Sequence, residues 1–95
     1  MPENAMPPVE IYTTRFCPYC SAAKALLKRK GVSYSEIDVS NDFERREEMI
    51  QRANGRMTVP QIFIGTTHVG GSDELQALER AGRLDLLLAG GKASS

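Results

Sequence analysis

The residues best suited to chemistry are the two cysteines of the chain, Cys17 and Cys20, which stand in the run Cys-Pro-Tyr-Cys. Two thiols at this spacing can form a redox couple, supply half of a metal site, or make a structural disulfide. Each use requires different residues elsewhere. The rest of the sequence therefore decides among the three.

Metal binding and a structural disulfide have little support in the remaining sequence. A structural zinc site needs four ligands, but the chain offers one distant histidine, His68, and no second Cys-x-x-Cys pair. A c-type haem attachment would need histidine at position 21, which is Ser21. A bridge between Cys17 and Cys20 would close so short a loop that it would stabilise the fold little. The pattern favours a redox couple.

The predicted place of the pair at a helix start gives the two thiols different roles. Pro18 suits the first helical turn, and an apolar stripe with helical spacing continues from there to Gly31. The N–H groups and positive dipole end of such a helix stabilise a thiolate at Cys17, and Arg15 is close in sequence. Cys20, one turn inside on the core side, is expected to be less exposed. We predict Cys17 as nucleophile and Cys20 as the thiol that resolves a mixed disulfide.

The elements around this helix predict an α/β domain. Residues Val9–Thr13 and 32–39 have strand patterns on either side of it, which makes a βαβ unit with a right-handed crossover. The imperfect alternation in 32–39 favours a strand covered on both faces.

The second half of the chain predicts two further strands and two further helical segments. Asn41 and Glu44 resemble a capping box for a helix that ends near Gly55, with a solvated charged run at 44–48. A strand follows at 58–64, with its proline at the start, and a short return strand at 68–69. Ser72 is expected to cap the next helix, and residues 83–89 form a last leucine-rich turn.

Composition limits the domain count and the partners. Twelve Lys plus Arg against twelve Asp plus Glu give a formal net charge of zero, so no bulk charge attracts nucleic acid or a membrane surface. We predict one domain at 9–89, with flexible segments at 1–8 and 90–95. No apolar run approaches a membrane span and no signal-peptide pattern opens the chain, so a reducing cytoplasm is the expected compartment.

Three motifs together make the chain resemble a dithiol glutaredoxin. They are Cys-Pro-Tyr-Cys at a helix start, Thr-Val-Pro at 58–60 and Gly-Gly-Ser-Asp at 70–73, and the resemblance runs from about residue 9 to 88. It implies a thioredoxin-like fold, in which a four-stranded mixed β-sheet of order 2-1-3-4 carries helices on both faces. It also implies a cis peptide bond before Pro60, beside the active cysteine.

The resemblance implies glutathione as co-substrate, held as a mixed disulfide on Cys17, with no tightly bound cofactor and no metal. The residues implied for its cysteinyl part are Tyr19, which would line the site, Thr58 and Val59, which would offer backbone pairing, and Pro60.

The glutamyl end of glutathione is expected at the turn of Gly71, Ser72 and Asp73. N–H groups at a helix start suit its carboxylate, and the Asp73 side chain suits its ammonium group. Simple helix-start stabilisation is the alternative role of Asp73.

One position departs from the family pattern. Many members carry lysine three residues before the first cysteine, where this chain has Thr14. By position, Arg15 and Arg56 are the candidates to bind the glycine carboxylate of glutathione, although each could be an ordinary solvated arginine. His68 receives no role.

The implied activity is that of an enzyme that reduces protein–glutathione mixed disulfides and protein disulfides. The expected partners are glutathione and client proteins, and a monomer is expected. Two alternatives stay open: an iron–sulfur cluster shared by two chains through Cys17 and glutathione, and a thioredoxin-like reductant served by a flavoprotein reductase. Pro18 and Cys20 disfavour the first, and Cys-Pro-Tyr-Cys in place of Cys-Gly-Pro-Cys disfavours the second.

Overall fold

The computed structural model describes residues 7–90, and its elements follow the predicted order. They are β1 Val9–Thr13, α1 Pro18–Arg29, β2 Ser35–Asp38, α2 Phe43–Arg52, β3 Gln61–Ile64, β4 Thr67–Gly70, α3 Ser72–Arg80 and α4 Leu84–Leu88. Most of the predicted flexible segments, 1–8 and 90–95, lie outside the described residues, and their flexibility stays a prediction. None of the helices described between residues 7 and 90 is long and apolar enough to cross a membrane.

A four-stranded mixed sheet in the order β2-β1-β3-β4 forms the centre of the fold. β1 runs parallel to β2 and antiparallel to β3, and β3 pairs antiparallel with β4. Parallel neighbours need a long crossover, which α1 provides between β1 and β2. The strand order and the helices on both faces confirm the expected thioredoxin-like architecture.

Side-chain alternation along the strands separates two apolar cores on opposite faces of the sheet. Ile11 and Ile62 belong to the larger core, which is covered by α1, α3 and α4. Tyr12 and Phe63 belong to the smaller core, which is covered by α2. The central strands β1 and β3 therefore hold both helical layers in place.

The second strand, β2, is shorter and more exposed than the sequence predicted. Three of its four residues are exposed and only Ile37 is half-buried. β2 lies at the edge of the sheet, where short strands with charged side chains are typical. The prediction of a strand covered on both faces is wrong, because a strand's burial depends on its place in the sheet.

The start of α2 also differs from the prediction. Asp42 is the capping residue, and its carboxylate accepts a hydrogen bond from the Arg45 N–H at 3.0 Å. The predicted capping box of Asn41 and Glu44 is therefore wrong. Asn and Asp cap helices about equally well, so local sequence does not choose between neighbours.

A polar network fastens α2 to the sheet. The Tyr12 hydroxyl donates to Glu48 at 2.6 Å and accepts from Arg52 at 2.8 Å. Arg52 also donates to Glu10 at 2.9 Å, and its guanidinium lies 4.1 Å from the centroid of the Phe63 ring. Burial, and then the hydrogen bond to Glu48, raises the pKa of Tyr12. The phenol therefore keeps its proton and goes on donating at neutral pH.

The neighbours Leu86 and Leu87 of α4 allow a matched test of this core. Leu87 is 2% exposed and Leu86 is 53% exposed. We expect Leu87→Ala to lower the free energy of unfolding by about 2–5 kcal/mol, because it leaves a cavity under α4. Leu86→Ala should change it by about 0.5 kcal/mol or less. Urea unfolding followed by circular dichroism measures both, and equal losses would contradict the docking of α4.

Candidate active site

Cys17 caps the N-terminus of α1. Its backbone is extended, with φ −113° and ψ 104°, and its Sγ accepts a hydrogen bond from the Cys20 N–H at 3.1 Å. Pro18, which has no N–H to satisfy, occupies the first helical position. The thiol is half-buried. This hydrogen bond and the positive end of the helix dipole both stabilise negative charge on Sγ.

Cys20 has a very different environment. It is 2% exposed and faces the core, as predicted. Burial, followed by the hydrogen bond with Cys17, raises the pKa of the Cys20 thiol to about 12, while a hydrogen bond from the Thr14 backbone and the charge of Lys24 act in the opposite direction. Cys20 is therefore a protonated thiol at neutral pH. Neither cysteine is in a disulfide.

The loop before β3 faces the reactive end of α1. The Val59–Pro60 peptide bond is cis, as the resemblance implied. The Val59 carbonyl oxygen lies 4.0 Å from Cys17 Sγ. Pro60 is buried directly before β3, whereas Thr58 is exposed. The backbone of this loop is thus available beside the sulfur.

An open groove of about 650 Å³ begins beside this loop. Val59 both lines the groove and approaches Cys17 Sγ, so a ligand in the groove can reach the sulfur. The predicted site residues that line it are Tyr19, Thr58, Val59, Pro60, Gly71, Ser72 and Asp73. The fold therefore brings three segments that are distant in sequence to one surface.

The two arginines proposed from the sequence do not line this groove. The Arg15 N–H donates to Ser40 Oγ at 2.8 Å, and its guanidinium is within hydrogen-bonding distance of the Asn41 side chain. Arg56 Nη2 lies 3.7 Å from Glu74 Oε1. Arg56 therefore borders the groove through Glu74, whereas Arg15 lies in the loop between β1 and α1 and contacts the loop before α2.

No site role is predicted from the sequence for three residues that line the groove, Arg46, Met57 and Glu74. Arg46 is half-buried on α2, and its Nη2 donates to the Met57 carbonyl at 3.3 Å. The sequence predicts the charged run at 44–48 as a solvated face, but Arg46 of this run lines the groove. No local signal separates Arg46 from Arg45, because the difference depends on where α2 packs.

The start of α3 forms another part of the groove. Its capping residue is Gly71, and Glu74 Oε1 accepts the Gly71 N–H at 2.7 Å, a bond that lowers the pKa of Glu74. The prediction that Ser72 caps this helix is therefore wrong, because Ser72 is already the first helical residue. The N–H groups in the first turn of a helix have no intrahelical acceptor, so this terminus suits an anion.

Gly70 allows the backbone before α3 to pass close to the side chains of Arg56 and Glu74. Its φ is +113°, which favours glycine, and a Cβ there would lie 2.9 Å from Arg56 Nη1. A side chain at this position would therefore strain the backbone and displace the ends of the Arg56 and Glu74 side chains.

Metal ligands do not converge in the part of the chain that the structure describes. Within residues 7–90, no group of three or more His, Cys, Asp and Glu side chains is arranged to hold a metal ion. His68 Nε2 lies 2.6 Å from Gln61 Oε1.

Comparison with known proteins gives concordant matches. The family model described as Glutaredoxin matches residues 9–69. Glutaredoxin 3 of Escherichia coli K12 is 58% identical over 80 residues, which cover 84% of this chain and 95% of that protein.

Two solved structures extend these matches to the fold. The solution structure of a glutaredoxin from Brucella melitensis has a TM-score of 0.83 and 56% identity, and the match covers 97% of this chain and 98% of that one. The crystal structure of a buckwheat glutaredoxin–glutathione complex has a TM-score of 0.78 and 31% identity, and the match covers 90% of this chain and 78% of that one.

These matches agree with the predicted family and with the paired thiols. The family model covers more than half of the chain, and it includes both cysteines and the Thr-Val-Pro loop. The chain therefore belongs to the glutaredoxin family of glutathione-dependent thiol-disulfide oxidoreductases.

Proposed function

We propose that this enzyme reduces protein–glutathione mixed disulfides with Cys17 as the nucleophile and glutathione bound in the groove. The observation that carries the proposal is the position of Cys17 Sγ, which accepts the Cys20 N–H and lies 4.0 Å from Val59, a groove residue. The buckwheat relative that was solved with glutathione supports this choice of ligand.

The reaction is a pair of thiol–disulfide exchanges. The Cys17 thiolate attacks the glutathione sulfur of the mixed disulfide, the disulfide bond breaks, and the client leaves as a thiolate that takes up a proton. A disulfide between Cys17 and glutathione remains. The thiolate of a second glutathione then attacks the bound glutathione sulfur, which releases oxidised glutathione and regenerates the Cys17 thiolate.

Reduction of a client's own disulfide needs Cys20 as well. Cys17 attacks one client sulfur, and Cys20 then loses its proton and attacks Cys17 Sγ, which releases the second client thiol. The resulting disulfide between Cys17 and Cys20 is reduced by two glutathione molecules. The 3.1 Å contact of Cys17 Sγ with the Cys20 backbone keeps the two residues close enough for this step.

The groove offers partners for both ends of glutathione. We assign the cysteinyl backbone to Thr58 and Val59 and the glutamyl end to the α3 start at Gly71–Asp73, where first-turn N–H groups favour a carboxylate. Asp73 is exposed and suits the glutamyl ammonium group. Arg56, held near Glu74, remains a candidate at the border of the groove.

Arg46 is our preferred partner for the glycine carboxylate. It lines the groove beside Met57 and Thr58, whereas Arg15 does not. Its hydrogen bond to the Met57 carbonyl uses one of five guanidinium N–H donors, so others remain for a carboxylate. A cation from α2 would thus take the place of the lysine that many family members carry at the position of Thr14.

We also propose that the protein works in the reducing cytoplasm, as a monomer that acts on glutathionylated and disulfide-bonded client proteins. Two thiols that must cycle through the reduced state suit a compartment in which glutathione keeps thiols reduced. Sedimentation analysis of the purified protein tests the monomer.

Single substitutions of the two cysteines separate their roles. We expect Cys17→Ser to lose reduction of a glutathione–peptide mixed disulfide by more than about a thousandfold, because the attacking sulfur is gone. Cys20→Ser should keep that activity and lose reduction of protein disulfides. Assays with both substrate types on the same preparations give the comparison, and an active Cys17→Ser would overturn the proposed function.

The buried thiol predicts a characteristic pH dependence. Because the pKa of Cys20 is raised to about 12, the thiol form persists below that pH and thiolate appears only as the pH approaches it. In Cys17→Ser, the ultraviolet thiolate absorbance should therefore stay flat to about pH 10, against an ordinary thiol midpoint of about 8.5. The double cysteine variant supplies the baseline. A midpoint near 8.5 would contradict burial of Cys20.

Arg46 and its neighbour Arg45 provide a matched test of the carboxylate site. Arg45 has the same charge on the same helix but pairs with Glu48 at 3.3 Å. We expect Arg46→Ala to raise KM for the glutathione mixed disulfide about tenfold, the effect of losing one charge-assisted hydrogen bond, with little change in kcat. Arg45→Ala should leave KM within about twofold. Equal effects of the two substitutions would exclude a specific role for Arg46.

A further inference from the structure

A chain of hydrogen bonds runs from β4 through the sheet to the groove wall. His68 Nε2 lies 2.6 Å from Gln61 Oε1. Gln61 Nε2 donates to the Thr58 carbonyl at 3.0 Å and to Thr58 Oγ1 at 3.2 Å. Gln61 is fully buried, whereas Thr58 lines the groove beside Val59. A histidine on the return strand is thus connected to the loop that faces Cys17.

The donor and acceptor groups of the three residues determine the direction in which each of these hydrogen bonds is donated. The Thr58 carbonyl can only accept, so the Gln61 amide nitrogen must face it and the amide oxygen must face His68. That oxygen also only accepts. His68 Nε2 must therefore carry a hydrogen and donate it.

Packing holds the imidazole in the orientation that this bond requires. The His68 ring stacks on Phe63, with centroids 4.9 Å apart and planes inclined by 23°. Arg52 covers the same Phe63 ring at 4.1 Å. Burial, and then the charge of Arg56, lowers the pKa of His68, so the ring is neutral near pH 7. A neutral ring has one N–H, and the contact with Gln61 requires it on Nε2.

We propose that His68 is a positioning residue of the reductase reaction, which orients Gln61 so that Gln61 holds the Thr58–Pro60 wall in the shape that binds glutathione. The proposal rests on the proposed function, because it concerns the wall of the same groove. His68 does not itself touch the substrate in this scheme.

Loss of the His68 donor has a specific consequence. Gln61 Oε1 would become a buried acceptor without a partner, which folded proteins avoid. Rotation of the amide toward another donor would withdraw its nitrogen from the Thr58 carbonyl. The loop would then sample several positions, and glutathione would bind less tightly while Cys17 kept its own environment at α1.

His68→Phe tests the donor separately from the ring, because phenylalanine keeps an aromatic ring for stacking on Phe63 and lacks only the nitrogens. We expect KM for a glutathione–peptide mixed disulfide to rise about fivefold to tenfold and kcat to stay within about twofold. His68→Gln places an N–H at a similar distance along the side chain and should restore most of the lost affinity. Thr67→Ala, on the same strand, is the control and should match the wild type.

Outcomes that overturn the inference are a normal KM in His68→Phe, or a KM in His68→Gln no lower than in His68→Phe. General destabilisation would reduce the active fraction and so lower apparent kcat, which distinguishes it from the expected rise in KM. Cys17→Ser in the same assay separates the two proposals: an active Cys17→Ser removes the proposed function, whereas an inactive one beside a normal His68→Phe removes only this inference.

Two further measurements keep the inference testable if His68→Phe folds poorly. Nitrogen NMR of the wild-type imidazole should show hydrogen on Nε2 and a bare Nδ1, and the opposite tautomer would overturn the proposal. His68→Leu, which removes the donor, should raise KM in the wild-type background but leave KM unchanged in a Gln61→Met background, because the connecting amide is gone there. A rise in KM of the same size in both backgrounds would likewise overturn the inference.

Discussion

The contact between the Cys20 N–H and Cys17 Sγ at the start of α1 is the interaction on which the site depends. It exists because α1 begins one residue after Cys17, so the sulfur takes the place that a serine or aspartate oxygen holds in an ordinary helix cap. The same geometry turns Cys20 inward. One helix start therefore makes one thiol accessible to the groove and buries the other, and the chemistry of the pair follows from this asymmetry.

The sheet determines what faces that helix start. β1 leads the chain to Cys17, and its antiparallel neighbour β3 begins directly after Pro60, so pairing of the two central strands brings the Thr58–Pro60 loop opposite the sulfur. The two apolar cores fix α1 and α3 on one face and α2 on the other. Each of these three helices contributes residues to the groove, and Arg46 and Asp73 thereby reach the same site.

Buried polar groups make this arrangement specific. Gln61 lies at the start of β3 with both ends of its amide bonded, and Tyr12 joins α2 to β1 through Glu48 and Arg52. Each of these groups would cost free energy if left unpaired in the interior, so alternative positions of the loop or of α2 are disfavoured. The hydrogen bonds of Gln61 and Tyr12, which lie beneath the surface of the groove, thus stabilise its shape.

The sequence by itself determined the pair of thiols at a helix start and the order of the elements, and its resemblance to a known family implied most of the groove residues. Cysteine spacing, the helix signal after Pro18 and the two later motifs are local patterns, and local patterns suffice where the responsible contacts are close in sequence. Tertiary structure alone decided the exposure of β2, the presence of Arg46 rather than Arg15 in the groove, and the connection of His68 to Thr58. Strand position, helix packing and contacts between β4 and β3 set these features. They arise from residues that meet only after the sheet forms, so no short stretch of sequence contains them.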